Sequence, residues 1–107
     1  MKSALFHPKA RDAIRDFPQD VRRAFGKAIF DLQKGVKLSM PLSRPMSSIA
    51  AGVEELRVKD GSGTYRVFYY TRLRDSILLF HAFTKKTQKT PLPEIALAQQ
   101  RLKEMIG

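Results

Sequence analysis

The sequence predicts an α+β fold, a mostly antiparallel sheet packed with an N-terminal helical hairpin and a C-terminal helix. Three observations lead there. Apolar residues between 10 and 32 recur at helical spacing, residues 53–70 alternate about a DGSG turn, and a last amphipathic run follows Pro91 and Pro93. The expected element order is β-α-α-β-β-β-α. At 107 residues the chain supports one modest core and not two, so a single domain over 1–107 is expected.

Ser3-Ala-Leu-Phe6 reads as a short first strand, ended by His7-Pro8, where proline suits the first helical position. Ala10, Ala13, Ile14 and Phe17 then follow at i, i+3, i+4 and i+7 and make one apolar helix face. Pro18 breaks that helix and opens the next. Val21, Ala24, Phe25, Ala28, Ile29 and Leu32 hold the same spacing until Gly35, placed where a C-cap glycine belongs. Residues 36–52, with two prolines and no sustained period, read as a connecting loop lying partly on the body through Leu38, Met40, Leu42 and Met46. From Val53 to Arg72 the pattern is a hairpin, with Glu55, Arg57 and Lys59 on one face and Leu56 and Val58 on the other. Ile77 to Phe83 is continuously apolar, as a strand in the middle of a sheet is. Ile95, Ala98, Leu102 and Met105 form the last helix face, with Glu94 in the favourable first turn.

Composition narrows the function. With 43% hydrophobic residues and both signs of charge, the chain is globular rather than disordered. It has no cysteine, which excludes disulfides and thiolate metal sites. No signal-peptide or membrane-length apolar run is present in the sequence, and a cytosolic location with no membrane partner is expected. The net charge is +10. Residues 1–50 carry +6 (ten basic, four acidic) and residues 51–107 carry +4 (ten basic, six acidic), so the excess belongs to the folded body and not to a tail. A surface of this kind attracts polyanions, either nucleic acid or an acidic protein.

One group of cations stands at the end of a central strand. The apolar run to Phe83 passes directly into Thr84-Lys85-Lys86-Thr87-Gln88-Lys89-Thr90 and stops at Pro91, which makes a strand end rich in cations and a candidate anion site. Arg57, Lys59, Arg66, Lys85 and Lys86 come from three consecutive strands or their ends and could converge on one patch. Asp60, Glu54 and Glu55 are scattered over a hairpin without ligand spacing, so no metal or other cofactor is expected.

The order of elements, with GVEELRVKDGSGTYRVFYY and HAFTKKTQKTPLPEIALAQQRLKEM, resembles the RelE/ParE superfamily of small bacterial toxins, above all its phage-derived, HigB-like members. The resemblance covers nearly the whole chain. It is most specific at Glu55-Leu56-Arg57, Tyr65-Arg66-Val67 and Phe83 through Pro91. It implies a compact RelE-like domain that cleaves mRNA on the ribosome and so inhibits translation. The implied partners are the ribosome, mRNA and a cognate antitoxin of the helix-turn-helix DNA-binding kind. Some members poison DNA gyrase instead, which is the first alternative; a basic binding protein without catalysis is the second.

Metal-free RNA cleavage needs the 2′-OH to attack the adjacent phosphate while protein charges stabilise the phosphorane oxygens. By comparison with the family, Arg66 falls on its strand arginine, Arg57 on a basic position in the preceding strand and Lys86 on a basic position after the last strand. Lys85 joins them as a catalytic candidate, and Lys59, Tyr70 and Lys89 are candidate RNA contacts. The family's terminal tyrosine has no counterpart, because Thr90-Pro91-Leu92 stands there. A lysine whose pKa is lowered by neighbouring cations could then act as base. In a regular strand His81 would share a face with Ile77, Leu79 and Phe83 as a hydrogen-bonded core histidine, and His7 would be a helix-entry residue.

Overall fold

The computed structural model describes residues 1–85 and 90–107. Its elements are β1 (Ser3–Phe6), α1 (Pro8–Arg15), α2 (Gln19–Gln33), β2 (Ser43–Pro45), β3 (Val53–Asp60), β4 (Gly63–Tyr70), β5 (Ser76–Lys85) and α3 (Leu92–Ile106). Among the described residues five strands form one sheet in the order β1-β5-β4-β3-β2, antiparallel except for β1 beside β5. The α+β fold with its helical hairpin and C-terminal helix is as the sequence predicts.

Local chemistry explains the ends of the helices. Pro8 opens α1 with His7 as N-cap, whose ring accepts from the Lys9 N–H. At the end of α2, Gly35 takes φ +90°, its N–H bonds Leu32 O and the Val36 N–H bonds Asp31 O. That is the paired closure in which a glycine satisfies two otherwise orphaned carbonyls. No described helix is long and apolar enough to cross a membrane.

The sheet is buried on both faces. Towards α1 and α2, Phe17, Val21, Phe25 and Leu32 pack on Leu56, Val67, Tyr69 and Leu79. Towards α3, Ala98 and Leu102 pack on Val53, Phe68, Leu78 and Phe80. Each large side chain so buried contributes roughly 1.5–3 kcal/mol, which is why β5, covered on both sides, reads as an unbroken apolar run.

Two expectations are corrected. Residues 36–52 are not wholly loop, because Ser43–Pro45 adds β2 at the sheet edge, antiparallel to β3. An edge strand tolerates Pro45, which lacks the N–H for a further ladder. Ser43 anchors it, its hydroxyl 2.6 Å from the buried Tyr69 hydroxyl. Burial drives the Tyr69 phenol up to about 12, so it stays a neutral hydrogen-bonding partner. The second correction concerns His81. β5 is not regular: Phe68 pairs with His81 while Tyr69 pairs with Leu79, leaving Phe80 as the extra residue of a bulge. The bulge turns His81, Phe83 and Lys85 to the α3 side, opposite Ile77 and Leu79.

Candidate functional site

Glu55 has no exposed surface, and basic side chains from neighbouring strands surround it. From β4, Arg66 Nη1 donates to both carboxylate oxygens, at 3.0 and 2.9 Å. From β2, Arg44 Nε donates to Oε1 at 3.0 Å. Arg57, two residues along β3, places its Nε 3.9 Å from the same oxygen.

Strand register produces this arrangement. Arg44 lies directly across from Glu55, and Arg57 directly across from Arg66. Two arginines facing each other across strands repel. Glu55, diagonal to Arg66 and in reach of all three guanidinium groups, offsets that repulsion. A carboxylate with no exposure would be costly alone, and its bonds to charged donors balance the desolvation.

Lys85 is the fourth cation. It ends β5, is 5% exposed, and its Nζ has no hydrogen-bond partner among the described residues. Burial depresses its pKa below the ordinary lysine value, and the charge of Arg66 adds to the effect; Glu55 opposes it, while Arg44 and Arg57 reinforce it. Four cations therefore share one carboxylate, and one ammonium is desolvated without a hydrogen-bond partner among the described residues. Chemically, this is a site short of negative charge, fit to take an anion by forked arginine bonds.

The structure brings together Arg57, Arg66 and Lys85. Lys59 lies exposed at the hairpin end of β3, lining one cleft with Arg57 and another with Lys85. Tyr70 is not at the cluster. It ends β4 four residues beyond Arg66, roughly 13 Å along a strand, and packs with the α3-side core. Lys86 and Lys89 lie outside the described residues. Sequence reasoning missed Arg44 and gave Glu55 no role. A strand of three residues leaves no alternation to detect, but Glu55 was detectable as the acid in a row with Arg57 and Lys59.

The bulge builds a second polar cluster on the same sheet face. His81 is 2% exposed, with Nε2 2.6 Å from Glu94 Oε1 and Nδ1 2.7 Å from Arg101 Nη1. Burial holds its pKa below the usual histidine range against the pull of Glu94. The neutral ring therefore donates from Nε2 to Glu94 and accepts at Nδ1 from Arg101, tying β5 to α3. His7 lies at the entry of α1, its Nε2 2.8 Å from Glu104 Oε1. Among the described residues no three His, Cys, Asp or Glu side chains could hold a metal ion.

The crystal structure of the isolated RelE toxin of E. coli matches this fold with a TM-score of 0.57, over 98% of this chain and 99% of that one, at 14% identity. No curated protein matches the sequence. The family model described as "Phage derived protein Gp49-like (DUF891)" matches residues 12–103, and the chain belongs to that family.

Proposed function

We propose that this chain is the toxin of a toxin–antitoxin pair and cleaves mRNA on the ribosome without a metal ion. The observation that carries the reading is the buried Lys85 ammonium, without a hydrogen-bond partner among the described residues, beside three arginines that share one carboxylate. The RelE-like fold and the Gp49-like family support it.

Arg66, Arg57 and Arg44 take the scissile phosphate by forked hydrogen bonds. Their stabilisation grows as the phosphorane gains charge. The lowered pKa of Lys85 raises the fraction of the side chain that is neutral, and that fraction accepts the 2′-OH proton as the 2′-oxygen attacks phosphorus. The P–O5′ bond breaks and the leaving oxygen takes up a proton from water, giving a 2′,3′-cyclic phosphate and a 5′-OH end. Lys86 follows in the chain and adds charge on the phosphate path, with Lys59 and Lys89 as further backbone contacts. His81 takes no part in proton transfer, since both ring nitrogens are engaged. The ribosome aligns the nucleophile, which allows so sparse a site to suffice. A cognate antitoxin covers part of the +10 surface with acidic or apolar residues.

The test is cleavage of a short mRNA programmed on purified ribosomes, run beside a gyrase supercoiling assay. Cleavage at defined codons by the wild type, without effect on supercoiling, is expected. Intact mRNA with blocked supercoiling would establish the gyrase-poison alternative in its place.

A further inference from the structure

A cleft of about 320 Å³ opens at the β2 edge of the sheet, lined by Pro41, Leu42, Arg57 and Lys59. Its walls are of two chemical kinds. Pro41 and Leu42 supply apolar surface, while Arg57 and Lys59 supply donors and no acceptor. The parts are fixed relative to each other, because the Arg57 N–H bonds Leu42 O at 2.9 Å and so carries the β2–β3 pairing one step past β2. Arg57 Nε has no hydrogen-bond partner among the described residues. The same side chain stands 3.9 Å from Glu55 and so belongs to the arginine cluster as well.

We infer that this cleft is a nucleobase subsite, holding the base of a nucleotide next to the phosphate on the arginines and favouring an edge with acceptors over one with an amino group. The inference rests on the reading that the cluster takes an RNA phosphate. The volume lies in the range of small-molecule sites, roughly 300–1,000 Å³. A phosphate alone would leave Pro41 and Leu42 without contact, and a wholly apolar group would strand the donors of Arg57 and Lys59. A base satisfies both walls, with an apolar ring face for Pro41 and Leu42 and an edge for the donors. Because neither polar side chain can accept, an oxo group at the edge is bonded and an exocyclic amine faces donors.

Three probes isolate the base and its edge: ribose 5-phosphate, adenosine 5′-monophosphate and inosine 5′-monophosphate, titrated against purified protein. The inosine nucleotide should bind about tenfold more tightly than ribose 5-phosphate, the scale of burying roughly 55 Å² of apolar surface, and severalfold more tightly than the adenosine nucleotide. Leu42→Ser should remove the gain from the base and leave ribose 5-phosphate binding intact. Since Leu42 also packs against the core, the exposed Lys59→Gln is the second variant. Glutamine offers donor and acceptor alike, so it should narrow the difference between the two nucleotides. If ribose 5-phosphate binds as well as either nucleotide, the subsite is refuted while the phosphate site stands. If none of the three binds, both fall. A base-dependent gain in a protein that leaves ribosome-bound mRNA uncut supports the subsite and counts against the nuclease reading alone.

Discussion

Two buried polar clusters share the α3 face of the sheet and are built in opposite ways. Around His81, both ring nitrogens are partnered and the charges of Glu94 and Arg101 balance. Around Glu55, three arginines draw on one carboxylate and Lys85 has no partner among the described residues. A closed network fastens one element to another. An unbalanced one keeps desolvation that only an added anion relieves. The difference separates a structural histidine from a binding site on one sheet, although sequence chemistry alone makes histidine the more tempting catalyst.

The contrast is broken most severely at Glu55. Glu55→Ala leaves three guanidinium groups repelling one another without their carboxylate, a loss of about 3–5 kcal/mol. Its melting temperature should fall by more than about 12 °C. A variant that melts like the wild type would mean that the arginines do not depend on Glu55. Arg66→Ala comes next. It should leave ribosome association intact and lower mRNA cleavage about a hundredfold, some 2.7 kcal/mol of transition-state stabilisation. Arg66→Lys should recover only part, since a lysine cannot reproduce the fork. Full recovery by lysine would reduce Arg66 to a point charge.

How legible each cluster was in the sequence follows from range. The helices declare themselves locally, since Val21, Phe25, Ala28 and Leu32 repeat at 3.6 and Gly35 closes the turn. The β3–β4 turn is equally local: the Asp60 carboxylate accepts from the Ser62 and Gly63 N–H groups, as an aspartate before a glycine-rich turn does. Alternation alone puts Arg57 and Arg66 on definable faces. The rest depends on long-range pairing. β2 exists because Ser43 reaches Tyr69 and Arg44 reaches Glu55, contacts 26 and 11 residues apart in sequence. The bulge at Phe80 leaves no mark on an apolar run, yet it moves His81 and Lys85 to the site's face. A period of two cannot show where it skips.

The closed cluster should answer to stability and not to ligand. His81→Asn strands Glu94 and Arg101, costing about 1–3 kcal/mol, without changing affinity for inorganic phosphate. Its pH dependence has a definite sign. The folded value lies below the ordinary 6.5, so under pH 6.5 the unfolded chain takes a proton that the folded one refuses. Stability should therefore fall as pH drops through that window, and the fall should be absent in His81→Asn. Chemical denaturation between pH 7 and 5 checks both. An unchanged slope in the variant would remove His81 from the acid response.

Lys85 should show the reverse pattern, with the smallest effect on stability and a clear one on binding. Its folded pKa lies below 10.5, so between the two values the unfolded chain holds more protons and stability rises with pH up to about 10.5. Lys85→Met removes a desolvated ammonium from a buried position and should change stability at neutral pH by less than about 1 kcal/mol, towards greater stability. It should also flatten the alkaline rise. A bound phosphate restores the favourable environment of the charged form. Inorganic phosphate should therefore raise the wild-type melting temperature as mass action requires and raise that of Lys85→Met less. Melting curves at pH 7 to 10, with and without phosphate and at constant ionic strength, give both readings. If phosphate stabilises the two proteins equally, Lys85 does not address the anion, and the asymmetry between the clusters reduces to the arginines around Glu55.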